Sequence, residues 1–178
     1  MKVFWAKGFA ATSTDDLLDA MQIGRQSLYN AFGDKRALYV AALDAYQQST
    51  VAGHIARLEA PASALDGIRD LLGGLIAEDD RTRALGCMGV GSACEFSTGD
   101  AELADLRRVS HRRLQTRLLA RLRDGQAKGE IDPALSPEEA ADFIQMTMTG
   151  LQLAARAGAG ADQLRTMARF AGDRLKSS

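Results

Sequence analysis

Residues 22–39 read QIGRQSLYNAFGDKRALY and carry the most information about the architecture of this 178-residue chain. The segment predicts a short helix from Arg25 to Phe32, a Gly-Asp stop, and the capped start of a longer helix. Polar side chains able to bond to nucleic acid occupy one side of the short helix, and Leu28 packs on the other. A small helix with polar tips and an apolar back is how a helix-turn-helix reads the major groove of DNA. The sequence therefore predicts a helix-turn-helix, with the remainder of the chain forming a sensor and a dimer interface.

The residues before this segment predict two more helices. The stretch Thr12-Ser13-Thr14-Asp15-Asp16 resembles a capping box and predicts the start of a supporting helix that runs to about Met21. Residues 1–7 are typical of the tail of a helix that ends at Gly8. Because a helix averages about 11 residues, we expect the first half of this one to be missing. Met1 would then lie downstream of the true start of translation.

Apolar residues recur at helical spacing through the rest of the chain. No Asn-Gly or Asp-Gly pair stands between alternating strand patterns. The sequence therefore predicts an all-α fold of about nine helices, with a three-helix N-terminal helix-turn-helix domain and a larger C-terminal helical bundle. Beyond residue 35, the predicted helices cover about 35–60, 65–76, 84–97 and 100–128, then a helix from Ser136-Pro137 and a final one after Gly160.

The composition is that of a globular protein rather than a membrane or secreted one. Hydrophobic residues make up 46% and charged residues 25% of the chain, which is ordinary for a globular protein. There is neither a run of about 18 apolar residues nor the layout of a signal peptide. Cys87 and Cys94 would lie on one helix face about 10 Å apart, too far for a disulfide, and both are expected to be small buried residues. These features favour the cytoplasm.

Charge gives little support to DNA binding. The net charge of the chain is −1, and residues 1–46 hold five basic and five acidic residues. Attraction to phosphates dominates non-specific DNA affinity, and it is weak in such a neutral domain. The prediction of DNA binding therefore depends on the motif.

Three segments resemble the DNA-binding domain of the TetR (tetracycline repressor) family. They are AKGFAATSTDDLLDA at 6–20, SLYNAFGDK at 27–35 and ALY at 37–39. The Gly86-Cys87-Met88 segment and the two closing helices are similar to one branch of the family's regulatory domain. The resemblance implies a DNA-binding domain at 1–46 and an effector-binding and dimerisation domain at 47–178. It also implies a homodimer formed through the last two helices.

The resemblance assigns roles to individual residues. Thr14 would start the supporting helix and touch a phosphate, as would the Tyr29 hydroxyl. Gln22 and Gly24 depart from the family, which often has glycine at the first position and a serine cap at the second, so we expect Gly24 to supply the flexibility of the turn. The predicted DNA-binding residues are Thr14, Arg25, Gln26, Ser27, Tyr29, Asn30 and Lys35.

An effector site is predicted in the larger domain, because cavities between bundle helices hold small apolar or mixed ligands. The same side chains could instead be core. His54 and His111 lack partners at ligand spacing, so no metal or other cofactor is expected, and no catalytic arrangement of residues predicts an enzyme. The candidate effector residues are Cys87, Met88, Phe96, His111, Phe143 and Met146.

The sequence thus predicts a cytoplasmic transcriptional regulator. The principal hypothesis is a dimeric repressor that binds a palindromic operator and is released by a small effector. The alternative is a helical small-molecule or cysteine redox sensor with a degenerate DNA-binding domain. The neutral charge of residues 1–46 and the short first helix suggest this alternative.

Overall fold

A computed structural model describes residues 1–97 and 99–177 and confirms the all-α prediction. These residues form ten helices, against about nine expected, because a short helix precedes Gly86. An isolated antiparallel bridge also joins Ile131 to Lys176. The helices are α1 Lys2–Lys7, α2 Thr14–Met21, α3 Arg25–Phe32, α4 Lys35–Glu59, α5 Ala64–Gly73, α6 Asp80–Leu85, α7 Met88–Phe96, α8 Ala101–Ala127, α9 Pro137–Arg156 and α10 Ala161–Asp173.

The first four helices pack around an apolar core that also receives side chains from α7 and α8. Phe4 of α1 is 2% exposed, and its ring meets that of Tyr39 of α4 edge-on at 5.0 Å. Phe9 lies 5.2 Å from Tyr39 and 5.4 Å from Phe96 of α7, measured between ring centroids. Aromatic pairs in such arrangements stabilise beyond their buried area. The short α1 is therefore anchored by an aromatic cluster.

Helix α4 has 25 residues and belongs to two cores. Leu43 lies in the N-terminal core, whereas Val51 and Leu58 lie in a second core completed mainly by α5, α8, α9 and α10. Where α4 crosses α5, a Cβ on Gly67 would lie 2.2 Å from the carbonyl oxygen of Leu58, so this approach requires glycine. A domain boundary at residue 46 falls within α4 between the two cores, and it stays a prediction.

The segment predicted as one helix over 84–97 is divided. Helix α6 ends at Leu85, Gly86 has a φ of 60°, and Cys87 occupies the N-cap of α7. The left-handed φ at Gly86 interrupts the helix, which apolar periodicity alone does not reveal. Two smaller expectations were also wrong. The helix predicted to reach residue 76 ends at Gly73, and Met21, expected to be buried, is 37% exposed at the end of α2.

Three further observations concern residues 1–97 and 99–177. No helix in these ranges is both long and apolar enough to cross a membrane. No group of three or more His, Cys, Asp or Glu side chains in them is arranged to hold a metal ion. Both cysteines are free, but Cys87 is half-buried and Cys94 is exposed, so the expectation that both are buried was wrong.

Candidate functional site

Helix α2 begins with a complete capping box. The backbone N–H of Asp16 donates to Ser13 Oγ at 3.0 Å, and the backbone N–H of Ser13 donates to Asp16 Oδ2 at 2.9 Å. Lys7 Nζ donates to Asp16 Oδ1 at 2.7 Å. This bond from Lys7, together with those from Ser13, lowers the pKa of Asp16 to about 2. The cap places Thr14, which is half-buried, at the first position of α2.

A three-residue turn joins α2 to α3. Gln22 takes the left-handed conformation with φ 54° and ψ 44°, and the amide of Ile23 donates to the carbonyl of Leu18 at 3.3 Å. Gly24 is extended, with a φ of −76°, and N-caps α3 without a side-chain bond. The unusual backbone is therefore at Gln22, and the expectation that Gly24 supplies it was wrong.

Helix α3 presents a row of exposed polar side chains over the fully buried Leu28. Gln26 Nε2 donates to Asn30 Oδ1 at 2.9 Å, which aligns two amides one turn apart. Tyr29 is 40% exposed. The recognition face, as we call this surface, consists of Arg25, Gln26, Ser27, Tyr29 and Asn30.

Two cations beside the recognition face are engaged within the protein. Arg25 Nη2 lies 2.7 Å from Asp15 Oδ1, and both side chains are largely exposed. Lys35, at the first position of α4, holds its Nζ 4.3 Å from the centroid of the Phe9 ring. Exposed ion pairs contribute only about 0–1 kcal/mol. A phosphate group could therefore displace Asp15 from Arg25 at small cost.

A cavity of about 450 Å³, here called the central cavity, lies between α1, α4 and the helices of the larger domain. Its lining includes Trp5 of α1, Tyr46 and His54 of α4, Cys87 and Gln145 of α9. The volume falls within the roughly 300–1,000 Å³ typical of small-molecule sites. The indole of Trp5 brings the first helix of the chain into the wall of this cavity.

Burial controls the ionisation of two cavity side chains. Burial, followed by the charge of Arg57, lowers the pKa of His54 to about 4, so its imidazole is neutral at pH 7. His54 Nδ1 is buried and has no hydrogen-bond partner within the described part of the chain. Burial also raises the pKa of Tyr46, and the neighbouring Cys87 thiol adds to that rise. His54 thus contributes a neutral imidazole to the cavity wall, and its buried Nδ1 has unused bonding capacity.

Both parts of the chain match known protein families. Residues 1–42 match the family described as bacterial regulatory proteins, tetR family, and residues 64–171 match the tetracyclin repressor-like C-terminal domain. The chain belongs to the TetR family. It is therefore a helix-turn-helix transcriptional regulator, and the members of this family are not enzymes.

Individual relatives agree with this assignment. The chain is 32% identical over 166 residues to YezE of Bacillus subtilis (strain 168), an uncharacterized HTH-type transcriptional regulator, covering 92% of this chain and 86% of YezE. It is 28% identical over 170 residues to the HTH-type transcriptional repressor ComR of Escherichia coli (strain K12), covering 94% and 81%. A cysteine mutant of the TetR-family regulator CifR, solved with 26-bp operator DNA, matches with a TM-score of 0.79 and 28% identity, covering 96% and 90%.

The predicted DNA-binding residues occupy three helices of this TetR fold. Five form the recognition face on α3, while Thr14 and Lys35 stand at the first positions of α2 and α4. The ion pair between Arg25 and Asp15 joins α3 to the start of α2. Their contacts with DNA stay a prediction.

The predicted effector residues do not form one site, although His111 and Met146 line the same small cavity of about 250 Å³. Cys87 lines the central cavity, whereas Met88 is 3% exposed in the N-terminal core and lines a separate cavity of about 360 Å³ beside Trp5. Phe96 packs in the aromatic cluster. On the surface of the larger domain lie His111, Phe143 and Met146, the last of them 72% exposed.

Sequence reasoning missed the α4 wall of the central cavity. Tyr46, Thr50, Gly53 and Arg57 line it, and they follow one another at spacings of three or four residues. Such spacing places all four on one helix face. The available signal was the row of polar and small residues at this spacing in a helix predicted to be amphipathic, but only the packed helices show that this row faces a cavity.

Proposed function

We propose that this TetR-family regulator is a dimeric repressor that binds a palindromic operator and releases it when a small effector occupies the central cavity. The exposed recognition face, braced by the capping box and the buried Leu28, is the main support for this proposal. The cytoplasm is the compartment that we assign to it, since its target is DNA.

The recognition face has the chemistry needed to read base edges. Arginine pairs with guanine through two hydrogen bonds, and glutamine or asparagine pairs in the same way with adenine. We assign Arg25, Gln26 and Asn30 to bases or nearby backbone. We assign the hydroxyl of Tyr29 and the ammonium of Lys35 to phosphates, which position the protein without reading sequence.

An exposed apolar surface on α9 and α10 supports dimerisation through these helices, which is typical of the family. Such a surface is costly for a monomer to leave in water. A two-fold dimer would place two recognition helices in successive major grooves about 34 Å apart. The large exposed side chains on the two helices are Phe143, Met146, Leu153, Met167 and Phe170.

The dimer proposal is tested by sedimentation equilibrium. Met167→Asp puts a charge on this surface and should shift the protein towards monomer, because burying an unpaired carboxylate is unfavourable. Val109→Asp is the matched control, because Val109 is 65% exposed but lies on α8. Equal dimerisation of both variants would rule out the α9–α10 interface.

Contacts between the two domains could carry the effector signal. The Glu95 carboxylate of α7 accepts hydrogen bonds from the backbone N–H groups of Phe9 at 2.9 Å and Ala10 at 2.6 Å. Arg36 of α4 pairs with Asp100 at 3.1 Å and Glu102 at 2.9 Å at the start of α8. A shift of α7 or α8 around an effector would therefore move the loop before α2 and the start of α4.

The decisive experiment is an operator selection with the full chain, followed by fluorescence anisotropy on the selected DNA, the chain's own upstream DNA and random DNA at moderate salt. Preference for the selected or upstream DNA is expected, and Arg25→Ala should remove most of it. Arg123→Ala is the control, because Arg123 is an exposed, ion-paired arginine near the far end of α8. Equal binding to all three DNAs would refute the proposal.

A cysteine-based sensor is the second candidate, since Cys87 lines the central cavity and lies against Tyr46. In this case, alkylation with iodoacetamide would weaken operator binding in the wild type but not in Cys87→Ser. Cys94→Ser is the matched control at the exposed cysteine. Unchanged operator binding after complete alkylation of Cys87 would exclude this candidate.

A further inference from the structure

The formal charges that line the central cavity are all positive. Arg57 and Arg83 both line it, whereas no Asp or Glu side chain from the described part of the chain does. The apolar part of the lining includes Trp5, Leu114 and Met148. The cavity wall is therefore mixed, with apolar side chains, uncharged polar side chains such as Thr149 and Gln152, and two cations.

The two arginines differ in what they already bind. Arg83 donates to the carbonyl oxygens of Ala77 at 3.1 Å and Glu78 at 3.2 Å, pairs with Asp80, and is only 11% exposed. Its bonding capacity is largely used within the loop before α6. The Arg57 side chain is exposed, and it forms neither an ion pair nor a hydrogen bond with any residue that the structure describes. Arg57 is thus the cation at this cavity whose charge is available.

The backbone fixes the place of Arg57 at the cavity. A Cβ on Gly74 would lie 2.4 Å from Arg57 Cδ and 2.5 Å from its Nε, so the arginine stem runs directly across this glycine. On the α4 side, a Cβ on Gly53 would lie 3.9 Å from Arg57 Nη1. Both glycines also line the cavity. The guanidinium therefore lies along the cavity wall between α4 and the end of α5.

His54 stands beside this cation with its buried Nδ1 unpartnered. Arg57 is exposed, so water solvates its guanidinium when the cavity is empty. A neutral apolar ligand would displace that water without replacing its hydrogen bonds and would leave the buried Nδ1 unpartnered, and both effects are costly. A cationic ligand would be repelled by Arg57 and Arg83. An anionic oxygen suits Arg57, because guanidinium groups bind carboxylates through paired, charge-assisted hydrogen bonds. The same carboxylate accepts a hydrogen bond from His54 in the tautomer that carries its proton on Nδ1.

We propose that the central cavity takes a small organic carboxylate, with its apolar body against Trp5, Leu114 and Met148 and its carboxylate between Arg57 and His54. This inference rests on the proposed function, because it names the class of effector that the repressor would sense. It assigns Arg57 as the residue that determines the preference for an anion. His54 is a second partner to the same carboxylate.

Trp5 provides a direct measurement, because it is the single tryptophan of the chain and lines the cavity. Its fluorescence is titrated with octanoate, octanamide and octylammonium, and again with phenylacetate, phenylacetamide and phenethylammonium. Within each series the apolar body is held nearly constant while the charge changes. Each carboxylate is expected to bind at least about tenfold more tightly than its amide, in line with a charge-assisted bond. Each ammonium compound should bind most weakly.

Substitutions test which side chain causes the preference for a carboxylate. Arg57→Gln should reduce the affinity for each carboxylate to that for its amide, whereas Arg123→Gln, on the exposed side of α8, should leave the preference unchanged. An amide or ammonium compound that binds as tightly as its carboxylate would overturn the inference. So would unchanged carboxylate binding in Arg57→Gln, or the absence of any response of Trp5 to all six compounds.

The ligand titrations and the operator-binding experiment can fail independently of each other. Operator preference is measured on the same protein without any added compound. If the operator is preferred but carboxylates are not, the regulator stands and the effector class is wrong. If carboxylates bind but no DNA is preferred, the cavity assignment stands and the proposed function fails.

Discussion

Trp5 Nε1 donates a hydrogen bond of 3.2 Å to the carbonyl oxygen of Gly86, across 81 positions of the chain. The Trp5 ring also meets that of Tyr46 edge-on, with centroids 5.1 Å apart. Gly86 lies between α6 and α7 with a φ of 60°, next to Cys87 at the cavity. This one bond therefore ties the first helix of the DNA-binding domain to the wall of the central cavity.

Trp5→Phe should remove the bond to Gly86 while keeping an aromatic ring in the wall. The free energy of unfolding is expected to fall by about 1 kcal/mol, since one part-buried hydrogen bond is lost and its acceptor is left unpaired. Urea denaturation followed by far-UV circular dichroism measures the change without relying on tryptophan. An unchanged midpoint would show that the bond does not stabilise the fold.

Tyr29→Phe should weaken binding to operator and to random DNA by the same factor, about tenfold, because a hydroxyl bond to a charged phosphate carries no sequence information. Asn30→Ala is the informative comparison, since it should weaken binding to the operator much more than to random DNA. Anisotropy titrations with both DNAs measure these losses. A loss confined to the operator in Tyr29→Phe would contradict the phosphate assignment.

Asp15→Asn should strengthen DNA binding, because it releases Arg25 from a 2.7 Å ion pair and removes one negative charge. The gain should be several-fold at low salt. The slope of log affinity against log salt should steepen by about one unit where the released Arg25 meets a phosphate of the nearby DNA backbone. Glu138→Gln is the matched control, because it releases Arg123 from a pair of the same length at the start of α9. Equal effects of the two substitutions would point to net charge alone.

Asp16 should make the fold sensitive to acid. Its pKa is lowered to about 2 by the hydrogen bond from Lys7 and those from Ser13, so its stabilising effect is present above the unfolded value near 4. This effect is lost as the pH falls towards 2. Asp16→Asn should therefore be less stable than the wild type at pH 6, with a difference that shrinks below about pH 4. Urea midpoints at several pH values measure it, and a difference independent of pH would contradict the assignment.

Local signals in the sequence predicted the helix-turn-helix well. The hydroxyl and acid of the capping box at Ser13, the glycine at position 33 and the N-cap at Asp34 each act within one helical turn. Such signals are readable from neighbouring residues, because the bonds that they form are themselves local. The start of α3 at Arg25 and its end at about Phe32 were accordingly predicted, as was a helix that starts within the capping segment 12–16, where Ser13 is the cap.

Features that depend on packing between distant segments could not be predicted in this way. The central cavity forms where Trp5, the polar face of α4 and the segment around Gly86 meet, and apolar periodicity does not show which helix faces leave space between them. Helix α6 escaped prediction because it has no buried residue to create a periodic pattern. The flexibility of the turn was assigned to Gly24 because glycine is conformationally permissive, although the left-handed residue of the turn is Gln22.

The backbone of Gln22 has an evolutionary consequence. This side chain is exposed and its backbone lies at a φ of 54°, which β-branched residues adopt only with strain. In a saturation mutagenesis experiment, position 22 should accept glycine and asparagine but reject valine and isoleucine, despite having no core to disturb. Position 22 would then accept few substitutions although its side chain is exposed. Solvent accessibility alone would therefore overestimate how much the sequence of this turn can vary among homologous regulators.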